Sequence, residues 1–371
     1  MTTDRQDRLR VALVGGPMYD HLYDVFGPDE VEVVVHEDHP TLNRRVAELL
    51  AAGERIDLLA THSKYAPSQA GWLRPLDELV DPAAIAALAP RAVDLCRFGG
   101  ALLSLPRLID VRVLWARTDR LAVVPRTWDD LVAAGTAFGF PGRESGLFGT
   151  FFEIVVGLGG SLFDDDRRPT LATPEAEHAI ATLCRLAANA PDDLPSWHYD
   201  QVDEALLAGR VDAAGAWPGA WGSIRDAPVG PLLEPHRYPA GEQRWVTYAG
   251  CHSWAVPTTC ADLDGTLSLL HRLVGADAQA RDATGGSICA HVGALEAVPA
   301  AGEVDRRRRE LLRATIDEAM ITYPPLARFP EIEDAGWAAI NAALVGTADP
   351  RTAAQRIQTV AETVLADEPA G

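Results

Sequence analysis

The sequence predicts an α/β protein of two domains, and three observations carry that expectation. A chain of 371 residues is longer than one hydrophobic core commonly organises. Up to about residue 115, short β-branched runs alternate with helical segments, the pattern of a parallel sheet with right-handed crossovers. From about Pro125 the pattern changes to helices of medium length with short connections.

The elements follow in order. "RVALVGG" (residues 10–16) is an aliphatic run closed by two glycines, and Tyr19 to Phe26 reads as a helix. "VEVVVHED" (31–38) is a second strand, "TLNRRVAELLAAGE" (41–54) a helix, and "IDLLATHS" (56–63) a third strand. In parallel sheets ligands collect at the carboxyl ends of the strands. The loops "GGPMYD" (15–20), "HEDHP" (36–40) and "THSKY" (61–65) are therefore candidate site loops, and within them Tyr19, Asp20, His39, His62, Ser63, Lys64 and Tyr65 are candidate ligand contacts. Further on, Thr127 and Asp130 form a capping-box pattern, and Thr173–Pro174 opens another helix with Glu175 and Glu177 in its first turn. "YDQVDEALLAGRVDAAGAW" (199–217) reads as helix, glycine stop and strand. "VTYAGCHSWAVP" (246–257) reads as a strand returning toward the first domain, and the last hundred or so residues read as helical.

Composition removes several function classes. With 47% hydrophobic and 23% charged residues the chain is of ordinary globular type, neither disordered nor fibrous. A formal charge of −20 repels phosphate backbones and anionic membrane surfaces, so nucleic acid is excluded as an expected partner. No apolar run approaches the length of a spanning helix, so no membrane insertion is expected. The five cysteines are dispersed and lack a C-x-x-C pair, which speaks against a disulfide framework and a zinc site, and no metal or cofactor is expected.

Several residues stand out on chemistry. Asp110 and Arg112 sit in the strand "LPRLIDVRVLW" (105–115), where a buried charge is costly unless paired or bound. Glu153 interrupts the apolar helix "GTFFEIVVGLGG" (149–160), so it is either salt-bridged or a ligand contact. Cys251 and His252 are adjacent on a strand and point to opposite sides, which prevents them from forming a nucleophile pair with each other. The run Asp164 to Asp166 lacks a calcium-loop pattern and reads as a solvated turn. Lys64 is the only lysine among 33 basic residues; its compact ammonium can meet one oxygen where arginine's fork does not fit, and it is otherwise a solvent-facing side chain.

The succession "GWLRPLDELV" (71–80), "GALLSLPRLIDVRVLWARTDRL" (100–121), "PRTWDDLVAAGTAF" (125–138), "GGSLFDDDRRPTLATPEAEHAI" (159–180) and "ALLAGRVDAAGAWPGAW" (205–221) resembles the extracellular solute-binding proteins, family 1, of carbohydrate ABC transporters, the group of maltose- and trehalose-binding proteins. Each motif is weak alone, and their order carries the resemblance over about residues 45–350. It implies a two-lobed, type II periplasmic-binding-protein-like fold that closes on one sugar in the cleft between its lobes. It also implies lobe one from residues 1–112 with 255–310, and lobe two from 113–254 with 311–371. Trp217, Gly219 and Trp221 at a strand end, Asp110 in "P-x-x-x-D-x-R" with Arg112 pairing it or binding ligand, and Cys251 and His252 on the return strand are the contacts the resemblance implies.

The expected function is therefore that of a sugar-binding component of an ABC transporter, with permease subunits as partners, no bond chemistry and a monomeric state. The alternative is a cytosolic lyase, isomerase or hydrolase of a modified sugar on the same scaffold, using His62, Lys64, Asp110, Glu153 or His252. Members of the family are exported, whereas "MTTDRQDRLRVALVGG" shows neither a secretory signal nor a lipidation cysteine. The chain is thus expected to be cytoplasmic as written, and extracytoplasmic if its start is truncated.

Overall fold

The computed structural model describes residues 8–16 and 19–366; Pro17 and Met18 of the first candidate loop, the first seven residues and the last five lie outside the described residues. The chain divides into two compact units, one formed by residues up to Asp110 with Gly250–Pro299 and Pro325–Ala327, the other by Val111–Ala249, Ala300–Pro324 and the residues from Arg328 on.

The first unit is built on a five-stranded sheet in the order Val31–Glu37, Leu9–Val14, Leu58–His62, Gly250–Ala255, Leu105–Asp110. The first three are parallel, and Gly250–Ala255 runs antiparallel to both of its neighbours. Leu58–His62 and Gly250–Ala255 are buried along their whole length, as expected of central strands covered on both faces. The helix His39–Ala51 follows the second strand; Asp38 caps it by accepting from the Thr41 amide at 2.9 Å, Pro40 occupies its first turn, and Leu42, Val46 and Leu50 make one buried stripe. The segment expected as a helix over 19–26 is a 3-10 helix over Asp20–Val25, after which the chain extends at Phe26 and enters Gly27–Pro28.

The second unit carries a four-stranded sheet, Leu233–His236, Val113–Arg117, Ala213–Ala216, Phe138–Gly139, with a short parallel pair of Thr247–Tyr248 and Met320–Ile321 beside it. Its helix Glu144–Gly157 is buried on every side from Gly146 onward, which explains the absence of an amphipathic pattern there. Thr127 and Asp130 form the reciprocal capping box, and Thr173 caps Pro174–Ala187. Asp164 accepts from the amides of Asp166 and Arg168, so the acidic run is a tight turn.

Two of the expected boundaries are corrected. Residues 250–254 belong to the first unit, because Gly250–Ala255 is hydrogen-bonded on both edges to strands of the first sheet. Residues 300–310 belong to the second, where the helix Glu303–Glu318 places Arg308 against the Pro218 carbonyl and the Trp221 ring. Among the described residues no helix is long and apolar enough to cross a membrane.

One backbone approach in the second unit excludes any side chain. A Cβ on Gly241 would lie 2.2 Å from the Gly157 carbonyl carbon, at the end of the buried helix. Gly241→Ala is expected to destabilise the protein by about 1–3 kcal/mol, measured as a lower urea midpoint at an unchanged m-value.

Candidate functional site

The first unit gathers five of the expected residues at one end of its sheet, where its parallel strands finish and the antiparallel strand Gly250–Ala255 begins. The register sets His252 opposite His62 and Gly250 opposite Asp110. His252 is bonded on both ring nitrogens: Nε2 stands 2.7 Å from Asp110 Oδ2 and 3.3 Å from the Tyr19 hydroxyl, and Nδ1 stands 3.1 Å from His39 Nε2. A carboxylate on Nε2 requires a proton there, so a neutral His252 accepts from His39 at Nδ1. His62 completes the cluster, its ring centre 5.1 Å from that of His252 and 5.6 Å from that of His39.

His62 is tied to a single tautomer, because its Nδ1 accepts from the Lys64 amide at 3.1 Å, which leaves the proton on Nε2. Burial, then the neighbouring His252, His39 and Lys64, hold its pKa well below the ordinary 6.5. The ring lies directly over Gly250, where a Cβ would come within 2.0 Å of His62 Nε2. Lys64 Nζ stands 4.7 Å from the centre of the Tyr65 ring, a cation–π contact on the same loop. Ser63 is used by the sheet, since its amide donates to the Cys251 carbonyl and its hydroxyl accepts from the Cys251 amide.

Two candidates of this unit lie apart from the cluster. Asp20 is half exposed and accepts from the Gly16 amide and His36. Cys251 is fully buried and meets the Cys96 sulfur at 3.9 Å. Among the described residues no group of three or more His, Cys, Asp and Glu side chains is arranged to hold a metal ion. In the histidine cluster, ring nitrogens face one another and Asp110 instead of converging on one point.

The second unit presents an aromatic platform over a buried ion pair. Arg112 bonds Glu153, and both side chains are almost completely buried. Glu153 also accepts from Thr247 Oγ1 at 2.9 Å and from the Tyr248 amide at 2.8 Å. Burial opposes the charge on Arg112, and Glu153 outweighs it, raising the guanidinium pKa above its ordinary value. The same guanidinium carbon lies 5.2 Å from the Trp217 ring centre and 4.8 Å from that of Tyr238. Trp217 is half-buried, and the rings of Tyr199 and Tyr248 stand T-shaped to it with centres 5.7 and 6.2 Å away.

Three expectations change here. Arg112 pairs Glu153 and not Asp110, because the two charged positions of one strand segment fall in different units. Glu153 is not exposed for a contact, since it is fully buried and its carboxylate already serves Arg112, Thr247 and Tyr248. Trp221 is core: the turn Pro218–Ala220 leads into a helix at Trp221, which turns its ring onto Trp115, stacked at 5.9 Å and 15°. Gly219 lies within that turn. The sequence reading does not single out Tyr199 and Tyr248; Tyr248 lies within the return-strand segment 246–257, and Tyr199 opens a helix, which are the available signals.

Comparison with known proteins places this arrangement. A family model for the bacterial extracellular solute-binding proteins matches residues 29–280. The chain belongs to that family. Among curated relatives of this solute-binding protein, a probable amino-acid ABC transporter periplasmic-binding protein of Sinorhizobium fredii is 24% identical over 292 residues, 72% of this chain and 65% of that one. A maltotriose-binding protein of Pyrococcus abyssi is 25% identical over 207 residues, 53% of this chain and 45% of that one. The matches thus span under two thirds of these relatives' length. Among solved structures, the maltose-bound MalE3 of T. maritima has a TM-score of 0.82 at 20% identity, covering 96% of this chain and 100% of that one. The GacH receptor of Streptomyces glaucescens, solved unliganded and with acarbose, has a TM-score of 0.83 at 17% identity, covering 98% and 100%. These likenesses establish the type II periplasmic-binding-protein fold, with lobes of mixed α and β content.

Two outcomes test this description of the solute-binding protein. Glu153→Ala leaves Arg112 buried and unpaired and is expected to cost about 3–5 kcal/mol, whereas the double replacement Arg112→Met with Glu153→Leu recovers most of it; a denaturation double-mutant cycle measures both. For His62, the depressed folded-state pKa means the unfolded chain takes up the proton first, so the stability it contributes is present above pH 6.5 and falls as the pH drops below that value. The difference in unfolding free energy between wild type and His62→Asn is expected to shrink over that window.

Proposed function

We propose that the chain takes up a carbohydrate or related polyol and passes it, chemically unchanged, to the permease subunits of an ABC transporter outside the cytoplasmic membrane. The family description and the maltotriose-binding relative support that reading. One relative is named for amino acids, and the observation that favours the sugar over the amino acid is the state of the buried ions. An α-amino acid brings a carboxylate and an ammonium, each of which needs a fixed counter-charge once desolvated. Arg112 is already spent on Glu153 and Asp110 on His252.

What these pairs support suits a ligand of hydroxyl groups. The ring nitrogens of His39, His62 and His252 and the hydroxyl of Tyr19 supply both donors and acceptors in one cluster. Trp217, backed by the Arg112 guanidinium, supplies a flat apolar face of the kind that covers the C–H side of a sugar ring. In the first unit we assign the contacts to Tyr19, His39, His62, Lys64 and Tyr65, with Asp110 and His252 orienting the cluster; the second unit, taken by itself, offers Trp217 with Tyr199 and Tyr248 as an aromatic candidate surface.

A thermal-shift screen with maltose, maltotriose, ribitol and the common amino acids tests the assignment, since a true ligand raises the melting temperature by mass action. A sugar or polyol is expected to stabilise and to be recovered unchanged after long incubation; stabilisation by amino acids alone overturns the reading. Trp217→Ala is expected to raise the Kd for the ligand by roughly tenfold or more, about 1.4 kcal/mol, with a normal far-ultraviolet spectrum, as titration calorimetry would show.

A further inference from the structure

Cys96 and Cys251 lie far apart in the sequence and side by side in the first unit. Their sulfurs are 3.9 Å apart across a separation of 155 residues, and both side chains are fully buried. Cys96 ends the helix Pro90–Leu95, and Cys251 sits on the strand Gly250–Ala255, on the face opposite His252. The hydroxyls of Ser104 and Ser253 are buried with no other hydrogen-bond partner among the described residues and stand against Cys96. Of the other three cysteines, Cys260 contacts the Thr266 hydroxyl, Cys289 contacts the His291 carbonyl, and Cys184 is half-buried on its own helix.

We propose that Cys96 and Cys251 are a modification site, joined as a disulfide when the chain folds in an oxidising compartment. To bond, sulfurs that stand 3.9 Å apart have to approach to about 2.05 Å. Burial pushes both thiols up, but the Cys251 thiol and the two serine hydroxyls bring Cys96 below its ordinary value, while Cys251 stays well above. With oxidised glutathione as oxidant, one of the two cysteines, reached while the chain is still folding, attacks one sulfur as the thiolate and releases one glutathione; the other loses its proton, attacks the protein sulfur of the mixed disulfide and releases the second. The protein gives up two hydrogens, and the oxidant is reduced to two thiols.

The loop closed in this way contains the whole stretch Val111–Ala249, so the bond fastens the return strand to the first unit independently of the second unit's folding. It does not depend on which solute is bound. Because neither sulfur is exposed, the bond is expected to form during folding and to resist reductant afterwards.

The test is to refold the full chain in a buffer of reduced and oxidised glutathione, block free thiols with N-ethylmaleimide in denaturant, and map the peptides. Cys96 and Cys251 are expected in one cross-linked, unblocked peptide pair, with Cys184, Cys260 and Cys289 blocked. Maleimide on both Cys96 and Cys251, or either of them joined to another cysteine, overturns the proposal. As a second readout on the refolded protein, prolonged dithiothreitol treatment under partly denaturing conditions is expected to lower the melting temperature of wild type and not of Cys251→Ala; an equal response in both also overturns it. If the variant does not fold, the wild-type map decides alone.

Discussion

The strand Gly250–Ala255 hydrogen-bonds along both edges to strands that lie far before it in the sequence, Leu58–His62 on one side and Leu105–Asp110 on the other. Its direction opposes both neighbours in a sheet whose other four strands all run the same way, and it is buried along its whole length. That insertion fixes everything that has chemical interest in the first unit. Because side chains alternate across a strand, one face delivers His252 to Asp110, His39 and Tyr19, and the opposite face delivers Cys251 to Cys96. Gly250 then has to be glycine in practice, because the His62 ring occupies the place of its side chain.

The second unit solves a different problem, that of keeping ions inside an apolar core. An isolated carboxylate in the Glu144–Gly157 helix would cost several kcal/mol of desolvation. Glu153 avoids that cost by collecting a guanidinium, a hydroxyl and an amide at once. The donors come from Arg112 and from Thr247–Tyr248, the residues flanking the two points where the chain passes from one unit to the other. The ion pair therefore also fixes Trp217, whose ring rests against the same guanidinium. Polar burial here has a positional consequence: a platform tryptophan is held by a charge that is itself fully paired.

Local features were legible in the sequence, and long-range pairings were not. The three parallel strands, the Asp130–Thr127 capping box and the Thr173 cap each follow from residues within one turn or one alternation of each other. Asp110 could be singled out because a charge in a buried strand demands a partner, yet nothing in "LPRLIDVRVLW" says that the partner is His252 and that Arg112 finds Glu153, 41 positions on. Trp217 and Trp221 look equivalent in "AWPGAW" if the strand end is read as extended. The 3-10 turn at Pro218–Ala220 separates them, sending the first to a half-exposed position and the second into the core. Misplacing residues 250–254 in the second lobe had the same origin, since strand order is a property of the sheet and not of the segment.

Lys64 shows how a single residue can act through both of its parts. Its amide donates to His62 Nδ1, a task that any residue with a backbone N–H performs, and so selects the tautomer that keeps a proton on Nε2. Its ammonium, placed over Tyr65, is one of three neighbouring groups that oppose a second proton on His62. Both effects act in the same sense, holding His62 as a neutral donor while the adjacent His252 is oriented by Asp110. A neutral, pre-oriented donor beside a carboxylate-bound histidine matches hydroxyl groups, which both give and accept hydrogen bonds, better than it matches a full charge. The lone lysine thus bears on ligand chemistry even where its ammonium makes no contact with the ligand, because it fixes the protonation state of the histidine beside it.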